Sequence, residues 1–170
     1  MTQDSRRHRV FWGLLSFRLL VASLAVVWSP YAILSAHPAR SFGQLRVSAL
    51  AGLCFIMLGS IAYVRSAWDF AFGGRSFAPK IVVAAGVYQF MRNPMYFGLV
   101  LILLGESLLF ESWILLAYCA VIWVALHLLV TLYEEPALAK KLGASYQEYC
   151  KQTPRWVPKI RRSPSETESN

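Results

Sequence analysis

The longest uncharged stretch of the chain constrains its fold more than any other feature. Ser112 to Tyr133 is a run of 22 residues without Lys, Arg, Asp or Glu. About 20 apolar residues are enough for a helix to cross the hydrocarbon core of a bilayer. Composition agrees, since 56% of the 170 residues are hydrophobic and only 15% are charged, whereas a soluble domain carries about a quarter charged residues. The sequence therefore predicts an integral membrane protein.

Three further apolar stretches indicate more spans. Val10 to Leu34 has 25 residues interrupted by Arg18, Val47 to Val64 has 18, and Met95 to Phe110 has 16 and contains Glu106. The first run is too long for the apolar core of a signal peptide, so we expect it to remain as a span. We expect a single all-α membrane domain over residues 1–170. It is a bundle of four transmembrane helices, at about 10–34, 47–64, 95–110 and 112–133, with a short amphipathic C-terminal helical segment.

The positions of the positive charges predict the orientation in the membrane. With four spans, 14 Lys and Arg residues fall in the N-terminal segment, the second connection and the tail, and two fall in the first connection. Because Lys and Arg accumulate on the cytoplasmic side, both termini are expected in the cytoplasm, and we expect a multi-pass protein of a bacterial inner membrane. The net charge of +8 is then explained by orientation and contact with membrane lipids, without nucleic acid. The spacing of the three cysteines predicts no metal site.

A group of polar residues flanks the last two spans on the predicted cytoplasmic side. Asn93 is a good N-cap, Pro94 suits the first helical turn, and Arg92 stands beside them. The exposed amides of a helix start bind carboxylate or phosphate, while Glu134 and Glu135 at the end of the last span can bind a cation. This pattern favours a zwitterionic ligand. The alternative is a solvated helix end whose carboxylates are neutralised by nearby lysines.

The C-terminal region carries several signals for local structure. Pro136 is expected to interrupt the last span, and Gly143 to end a short helix. Ser145, with Glu148 three residues later, predicts a capping box for a further helix. Trp156 is interpreted first as an anchor at the membrane interface. Residues 163–170 are predicted to form a disordered polar tail.

The order of motif residues resembles a known family. The first half contains Gly86, Tyr88, Arg92, Asn93, Pro94, Tyr96 and Gly98, and the second contains Glu134, Glu135, Leu142, Gly143, Tyr146, Tyr149, Pro154 and Pro158. Together they resemble the isoprenylcysteine carboxyl methyltransferase family, which is similar to the phospholipid methyltransferases. The match covers roughly residues 79–158. The resemblance implies a membrane-embedded methyltransferase whose cofactor is S-adenosylmethionine.

The resemblance also implies roles for particular residues, within a cytoplasmic cofactor motif formed by residues 79–98 and 134–158. The adenosine pocket is assigned to Lys80, Ile81, Val82, Val83 and Tyr88. The methionine end is assigned to Asn93, Pro94, Met95 and Tyr96, with Arg92 suited to its carboxylate. Glu134 is expected to bind an amine or hydroxyl of the cofactor, and Glu135 belongs to the same site.

Two positions depart from the family pattern and bear on the methyl acceptor. Asn93 stands where many members have His, and Val130 stands where the isoprenylcysteine enzymes have an Arg thought to meet the substrate carboxylate. The acceptor is therefore left open among an isoprenylcysteine carboxylate, an isoprenoid and a lipid, as is the choice between O-, N- and S-methylation. The small residues Gly98, Gly105 and Ala125 either allow close helix approach or leave space for an acceptor chain.

His127 is the candidate catalytic residue on the acceptor side. It lies within the last span, seven residues before Glu134, so both occupy one helical face. Its alternative role is a hydrogen bond between helices. Two other classes of protein remain as alternatives: a non-catalytic four-helix membrane protein, and an enzyme similar to the NADPH-dependent sterol reductases.

Overall fold

A computed structural model of the protein describes residues 24–36, 46–72 and 86–159. Most of these residues are helical and none of them lies in a β-strand, so the all-α prediction is confirmed. The sequence positions 10–23, 80–83 and 163–170, on which several predictions rest, lie outside the described residues. The elements are α1 (Leu24–Ala36, beginning with a π-helical turn at Leu24–Trp28), α2 (Arg46–Phe72), a 3₁₀ turn (Gly86–Gln89), α3 (Pro94–Leu109), α4 (Trp113–Leu129), a π-helical turn (Val130–Glu134), α5 (Glu135–Leu142) and α6 (Ala144–Gln152).

Two of these helices are long and apolar enough to cross a membrane. They are Val47–Phe70 within α2 and Trp113–Lys140, which runs from α4 into α5. Large apolar side chains on both are exposed, among them Met57, Ile61 and Val121. A lipid-facing surface accounts for such exposure, because apolar side chains there contact acyl chains instead of water. The two remaining apolar helices, Leu24–Ala36 and Pro94–Leu109, are shorter.

Helix α2 extends beyond the predicted span 47–64. It continues to Phe72 through two charged residues. Arg65 and Asp69 lie one turn apart and form an ion pair of 3.5 Å, an arrangement that supports an exposed helix end. The uncharged run 47–64 therefore predicted the apolar part of α2 but not its polar C-terminal end.

The predicted interruption at Pro136 is also wrong. The helix continues through this residue because the chain widens to a π-helical turn, Val130–Glu134, immediately before it. The Glu135 amide donates to the Val130 carbonyl, five residues earlier. Pro136 then falls in the first turn of α5, the part of a helix in which proline is best tolerated.

The described residues belong to two compact units. One contains the residues up to Ile61 and Gly98–Leu126, and the other contains Ala62–Phe97 and the residues from His127 onward. Within the first unit, α2 and α3 run antiparallel in close contact. A Cβ atom added to Gly52 would lie 2.7 Å from the Gly105 carbonyl oxygen, and one added to Gly59 would lie 2.7 Å from that of Gly98. Gly52, Gly59 and Gly105 therefore permit close helix approach, and the backbone of α2 fills the space beside Gly105.

A tight turn joins α3 to α4 in the same unit. Glu111 has a positive φ of 47°, which is uncommon for a residue with a side chain. Its carboxylate accepts a hydrogen bond of 2.8 Å from the Ser48 hydroxyl near the start of α2, and the Ser112 amide donates to the Ser107 carbonyl. These contacts stabilise the turn between the two helices.

The C-terminal helices of the second unit form the predicted amphipathic segment. On α6, Tyr146 is buried, Tyr149 and Cys150 are partly buried, and Glu148 and Lys151 are exposed. Gly143 ends α5 with a positive φ of 61°, as predicted. The capping box at Ser145 is wrong, because α6 begins at Ala144 with Gly143 as its N-cap and no side-chain cap.

Candidate active site

The end of α2 holds the residues before α3 in position. The Asp69 carboxylate accepts a 3.0 Å hydrogen bond from the Val87 amide. Gly86 has a positive φ of 59°, and a Cβ atom there would collide with the same carboxylate. A glycine is needed both for the backbone conformation and for the close approach. Asp69 thereby fixes the 3₁₀ turn that contains Tyr88.

A hydrogen bond from α6 also holds Tyr88 in place. Its carbonyl accepts a 2.7 Å hydrogen bond from the Tyr149 hydroxyl. Burial raises the pKa of Tyr149 well above its ordinary value, and the charge of the neighbouring Tyr146 adds to the effect. The Tyr149 hydroxyl therefore keeps its proton and donates. Helix α6 and the turn at Tyr88 are joined by this bond.

Residues 153–159, here called the C-terminal strap, are bonded to the segment that precedes α3. The Arg92 amide donates to the Pro154 carbonyl at 2.9 Å, and the Lys159 amide donates to the Phe90 carbonyl at 2.9 Å. The Asn93 side-chain amide donates to the Arg155 carbonyl at 3.3 Å. The strap is thus attached along its length to residues 90–93.

Two arginines share one carboxylate beside the strap. Arg155 binds Glu135 with two hydrogen bonds, from Nε to Oε1 at 2.8 Å and from Nη2 to Oε2 at 2.7 Å. Arg92 Nη1 lies 3.0 Å from Glu135 Oε1 and donates to the Cys150 sulfur at 2.9 Å. Arg92 Nε is buried and has no hydrogen-bond acceptor among the described residues. This arginine–glutamate cluster (Arg92, Glu135 and Arg155) carries a net charge of about +1, because guanidinium groups stay protonated.

A second contact joins α3 to the π-helical turn at Val130–Glu134. The Tyr96 hydroxyl donates a 2.6 Å hydrogen bond to Glu134 Oε1. Helix α3 begins at Pro94 as predicted, and its first backbone bond runs from the Phe97 amide to the Asn93 carbonyl. Tyr96 therefore lies in the first turn of α3, directly after the segment that carries Arg92.

His127 contacts the strap through Trp156. The indole Nε1 donates a 3.1 Å hydrogen bond to His127 Nδ1, and the two rings are stacked with centroids 6.1 Å apart. Trp156 is partly buried in this contact. Its interpretation as an interface anchor missed the hydrogen bond to His127.

The structure brings most of the predicted site residues into one network. Tyr88, Arg92, Asn93, Tyr96, Glu134 and Glu135 each contact α5, α6, the strap or α3. Pro94 and Met95 are buried at the start of α3, and Lys80, Ile81, Val82 and Val83 lie outside the described residues. Arg92 and Glu135 were expected to offer separate sites for an anion and a cation. They contact each other instead, and Arg155 of the strap binds the same carboxylate.

Sequence reasoning missed three residues of this network. Arg155 and Asp69 had no motif that would pair them with Glu135 and Val87, since the partners are 20 and 18 residues away in the chain. The contact of Cys150 with Arg92 had no signal in the sequence either.

The chain is similar in sequence to known methyltransferases. The model of the phospholipid methyltransferase family matches residues 47–145. Over 123 residues the chain is 31% identical to a protein-S-isoprenylcysteine O-methyltransferase of Schizosaccharomyces pombe, covering 70% of this chain and 52% of that protein. Over 117 residues it is 32% identical to a protein-S-isoprenylcysteine O-methyltransferase B of Arabidopsis thaliana, covering 63% and 57%. No solved structure matches significantly.

The chain belongs to the phospholipid methyltransferase family, and the resemblance found in the sequence is confirmed. It spans just over half the length of the two curated relatives.

Proposed function

We propose that this chain is an integral membrane methyltransferase that transfers a methyl group from S-adenosylmethionine to a lipophilic acceptor. Family membership supports the reaction type. The observation that carries the proposal is that Tyr96 and Arg92, near the start of α3, contact Glu134 and Glu135 at the end of the long apolar helix. The arginine–glutamate cluster, together with Tyr96 and Glu134, thus offers hydrogen-bond donors, two guanidinium groups and two carboxylates beside a membrane span.

The residues of the cluster fit the charges of S-adenosylmethionine. Arg92 Nε is buried without an acceptor among the described residues, and two arginines share Glu135. A further carboxylate would satisfy this donor and balance the excess positive charge. The amides at the start of α3 favour the same anion. Arg92 with Asn93, Pro94, Met95 and Tyr96 would hold the methionine end.

The remaining groups of the cofactor have matching partners. Glu134 would bind its amine or a hydroxyl, and Tyr88 with Lys80, Ile81, Val82 and Val83 would form the adenosine pocket. When bound, S-adenosylmethionine supplies a methyl group activated by its sulfonium centre. Glu135 holds Arg92 and Arg155 in place, and the Tyr96 hydroxyl orients the Glu134 carboxylate.

The chain contributes mainly alignment and exclusion of water. Methyl transfer is an in-line displacement, so its rate depends on holding the reacting groups at a fixed distance and angle. The strap covers residues 90–93 through three hydrogen bonds, which limits the access of water to the cluster. No metal is assigned to the site.

Exposed apolar residues near the cluster support a lipophilic acceptor. Leu128, Leu129, Leu132 and Tyr133 are exposed on the helix between His127 and Glu134. An acceptor entering sideways from the membrane would contact these side chains. Val130, where the isoprenylcysteine enzymes have Arg, is buried and uncharged. The acceptor class therefore includes isoprenoids and lipids as well as a prenylcysteine carboxylate.

The proposed topology is four spans with both termini in the cytoplasm of a bacterium, in its inner membrane. It rests on the 14 positive residues in three segments against two in the first connection. Single cysteines placed at Ser41 and Ser163 in a variant without native cysteines are treated in intact cells with an impermeant thiol reagent. Labelling at Ser41 alone is expected, and labelling at Ser163 alone would reverse the orientation.

The reaction is tested with detergent-purified protein and two labelled ligands. Equilibration with S-adenosylmethionine and, separately, with NADPH distinguishes a methyltransferase from a sterol-reductase-like enzyme. We expect saturable binding of S-adenosylmethionine and methyl label in a host lipid extract, with none in a soluble metabolite pool. Binding of neither ligand would favour a non-catalytic membrane protein, and label only in the soluble pool would refute the lipophilic acceptor.

A further inference from the structure

The hydrogen bond between Trp156 and His127 determines where the histidine carries its proton. An indole N–H is a donor only, so His127 Nδ1 must act as the acceptor at 3.1 Å. Nδ1 therefore has no hydrogen, and the imidazole is neutral with its hydrogen on Nε2. The stacked rings hold the imidazole plane close to that of the indole, at an angle of 29°.

The C-terminal strap also contacts the residues that would hold the cofactor. Arg155, next to Trp156, binds both oxygens of Glu135 and receives a hydrogen bond from Asn93 at its carbonyl. The position of the Trp156 indole is thus tied to the residues that would hold S-adenosylmethionine. A strap that is detached from Glu135 would also withdraw the indole from His127.

We propose that Trp156 is a positioning residue that fixes His127 as a neutral hydrogen-bond donor, through Nε2–H, to an anionic oxygen of the acceptor. This inference rests on the proposed methyl transfer. His127 lies in α4, three residues before Val130 and about one turn away from it. The imidazole N–H thus offers a donor one turn from the position where the isoprenylcysteine enzymes have Arg and this chain has an apolar side chain.

The fixed tautomer also limits what His127 can do. Its one basic nitrogen is occupied by the Trp156 N–H, so it has no lone pair with which to remove a proton from an amine. An anionic oxygen needs no such base, since it attacks without losing a proton. His127 therefore binds and orients an oxygen acceptor and keeps its own proton throughout the reaction.

The tautomer can be observed directly by ¹⁵N NMR of histidine-labelled protein prepared without a histidine tag. The chain contains three histidines, and the His127→Leu spectrum assigns the signals of His127. We expect a protonated Nε2 and an unprotonated Nδ1. Trp156→Phe keeps an aromatic ring but removes the N–H, so both tautomers are expected to appear. A protonated Nδ1 in the unmodified protein, or an unchanged tautomer in Trp156→Phe, would overturn the assignment.

The donor role is tested with N-acetyl-S-farnesylcysteine as the probe, in the presence of saturating S-adenosylhomocysteine. The matched control is its carboxamide, which lacks the anionic oxygen. We expect the carboxylate to shift the Nε2 signal and the carboxamide to leave it unchanged. Trp156→Phe is expected to weaken binding of the carboxylate about tenfold, with S-adenosylhomocysteine affinity unchanged within about twofold.

His127 variants provide an independent comparison in case Trp156→Phe does not fold. His127→Gln retains an N–H donor and is expected to bind the carboxylate more tightly than His127→Leu. Equal binding of the carboxylate and the carboxamide, or equal binding by the two His127 variants, would refute the donor role. If S-adenosylhomocysteine does not bind the unmodified protein, the proposed function fails instead, and the tautomer still reports on Trp156.

Discussion

Replacing Glu135 with Gln is expected to detach the C-terminal strap from the residues before α3. Glu135 accepts three short contacts from two arginines, at 2.7, 2.8 and 3.0 Å. In the variant, one carboxamide oxygen remains to accept, and its NH₂ group faces guanidinium donors. Two positive charges are then left without their counterion.

The free-energy cost of Glu135→Gln follows from the solvent exposure of the three side chains. Glu135 is 16% exposed and Arg92 is 14% exposed, so their contact is poorly screened, whereas Arg155 is 33% exposed and partly screened. Breaking a fully buried ion pair costs about 3–5 kcal/mol, and an exposed pair contributes about 0–1 kcal/mol. An intermediate loss of about 2–3 kcal/mol is expected, which favours opening of the strap about 30- to 150-fold.

Amide hydrogen exchange measures this opening. The Lys159 amide is bonded to the Phe90 carbonyl and the Arg92 amide to the Pro154 carbonyl, so both exchange when the strap detaches. Their protection is expected to fall about 30- to 150-fold in Glu135→Gln, while the Phe97 amide within α3 keeps its protection. Glu148→Gln, which alters an exposed carboxylate on α6, is the matched control. Equal protection in both variants would refute the role of Glu135 in holding the strap.

Three other predictions concern the elements that position the site. Gly105→Ala is expected to lower the stability of the helix pair by about 1–3 kcal/mol in detergent unfolding, because the added Cβ would lie 2.6 Å from a backbone oxygen; Ala117→Leu, on an exposed surface, is expected to have little effect. Asp69→Ala is expected to weaken S-adenosylhomocysteine binding about tenfold by calorimetry, whereas Arg65→Ala, which removes an exposed partner, leaves it unchanged. The raised pKa of Tyr149 predicts stability that is full below about pH 10 and is lost as the pH rises through the folded-state pKa; Tyr149→Phe is expected to reduce that loss in unfolding measured against pH.

The start of α3 and the end of α5 were predicted correctly, whereas the ends of the two long apolar helices were not. Pro94 marks the start of α3 because the missing proline amide hydrogen acts locally. The ends of α2 and of the last span were placed too early, at Val64 and Tyr133. Charged residues end the apolar stretch, but the backbone hydrogen bonds continue past them.

The site was predictable in its residue types and less so in its pairings. Glu134, Tyr96 and Arg92 stand out in the sequence because charged and tyrosine side chains beside an apolar span indicate a specific role. Their partners depend on the path of the strap, which no local pattern specifies. The sharing of Glu135 between Arg92 and Arg155, and the bond from Trp156 to His127, follow from that path.

Calorimetric titration of the detergent-purified protein with S-adenosylhomocysteine tests the central claim most directly, because it measures cofactor binding without requiring the acceptor. Glu134→Gln and Arg92→Ala each remove a charged partner from a partly buried cluster. Each is expected to weaken binding about 30- to 150-fold, equivalent to about 2–3 kcal/mol. The exposed changes Glu148→Gln and Lys151→Ala are expected to bind as the unmodified protein does. Unchanged affinity in Glu134→Gln and Arg92→Ala, with both variants folded, would contradict the assignment of this cluster as the cofactor site.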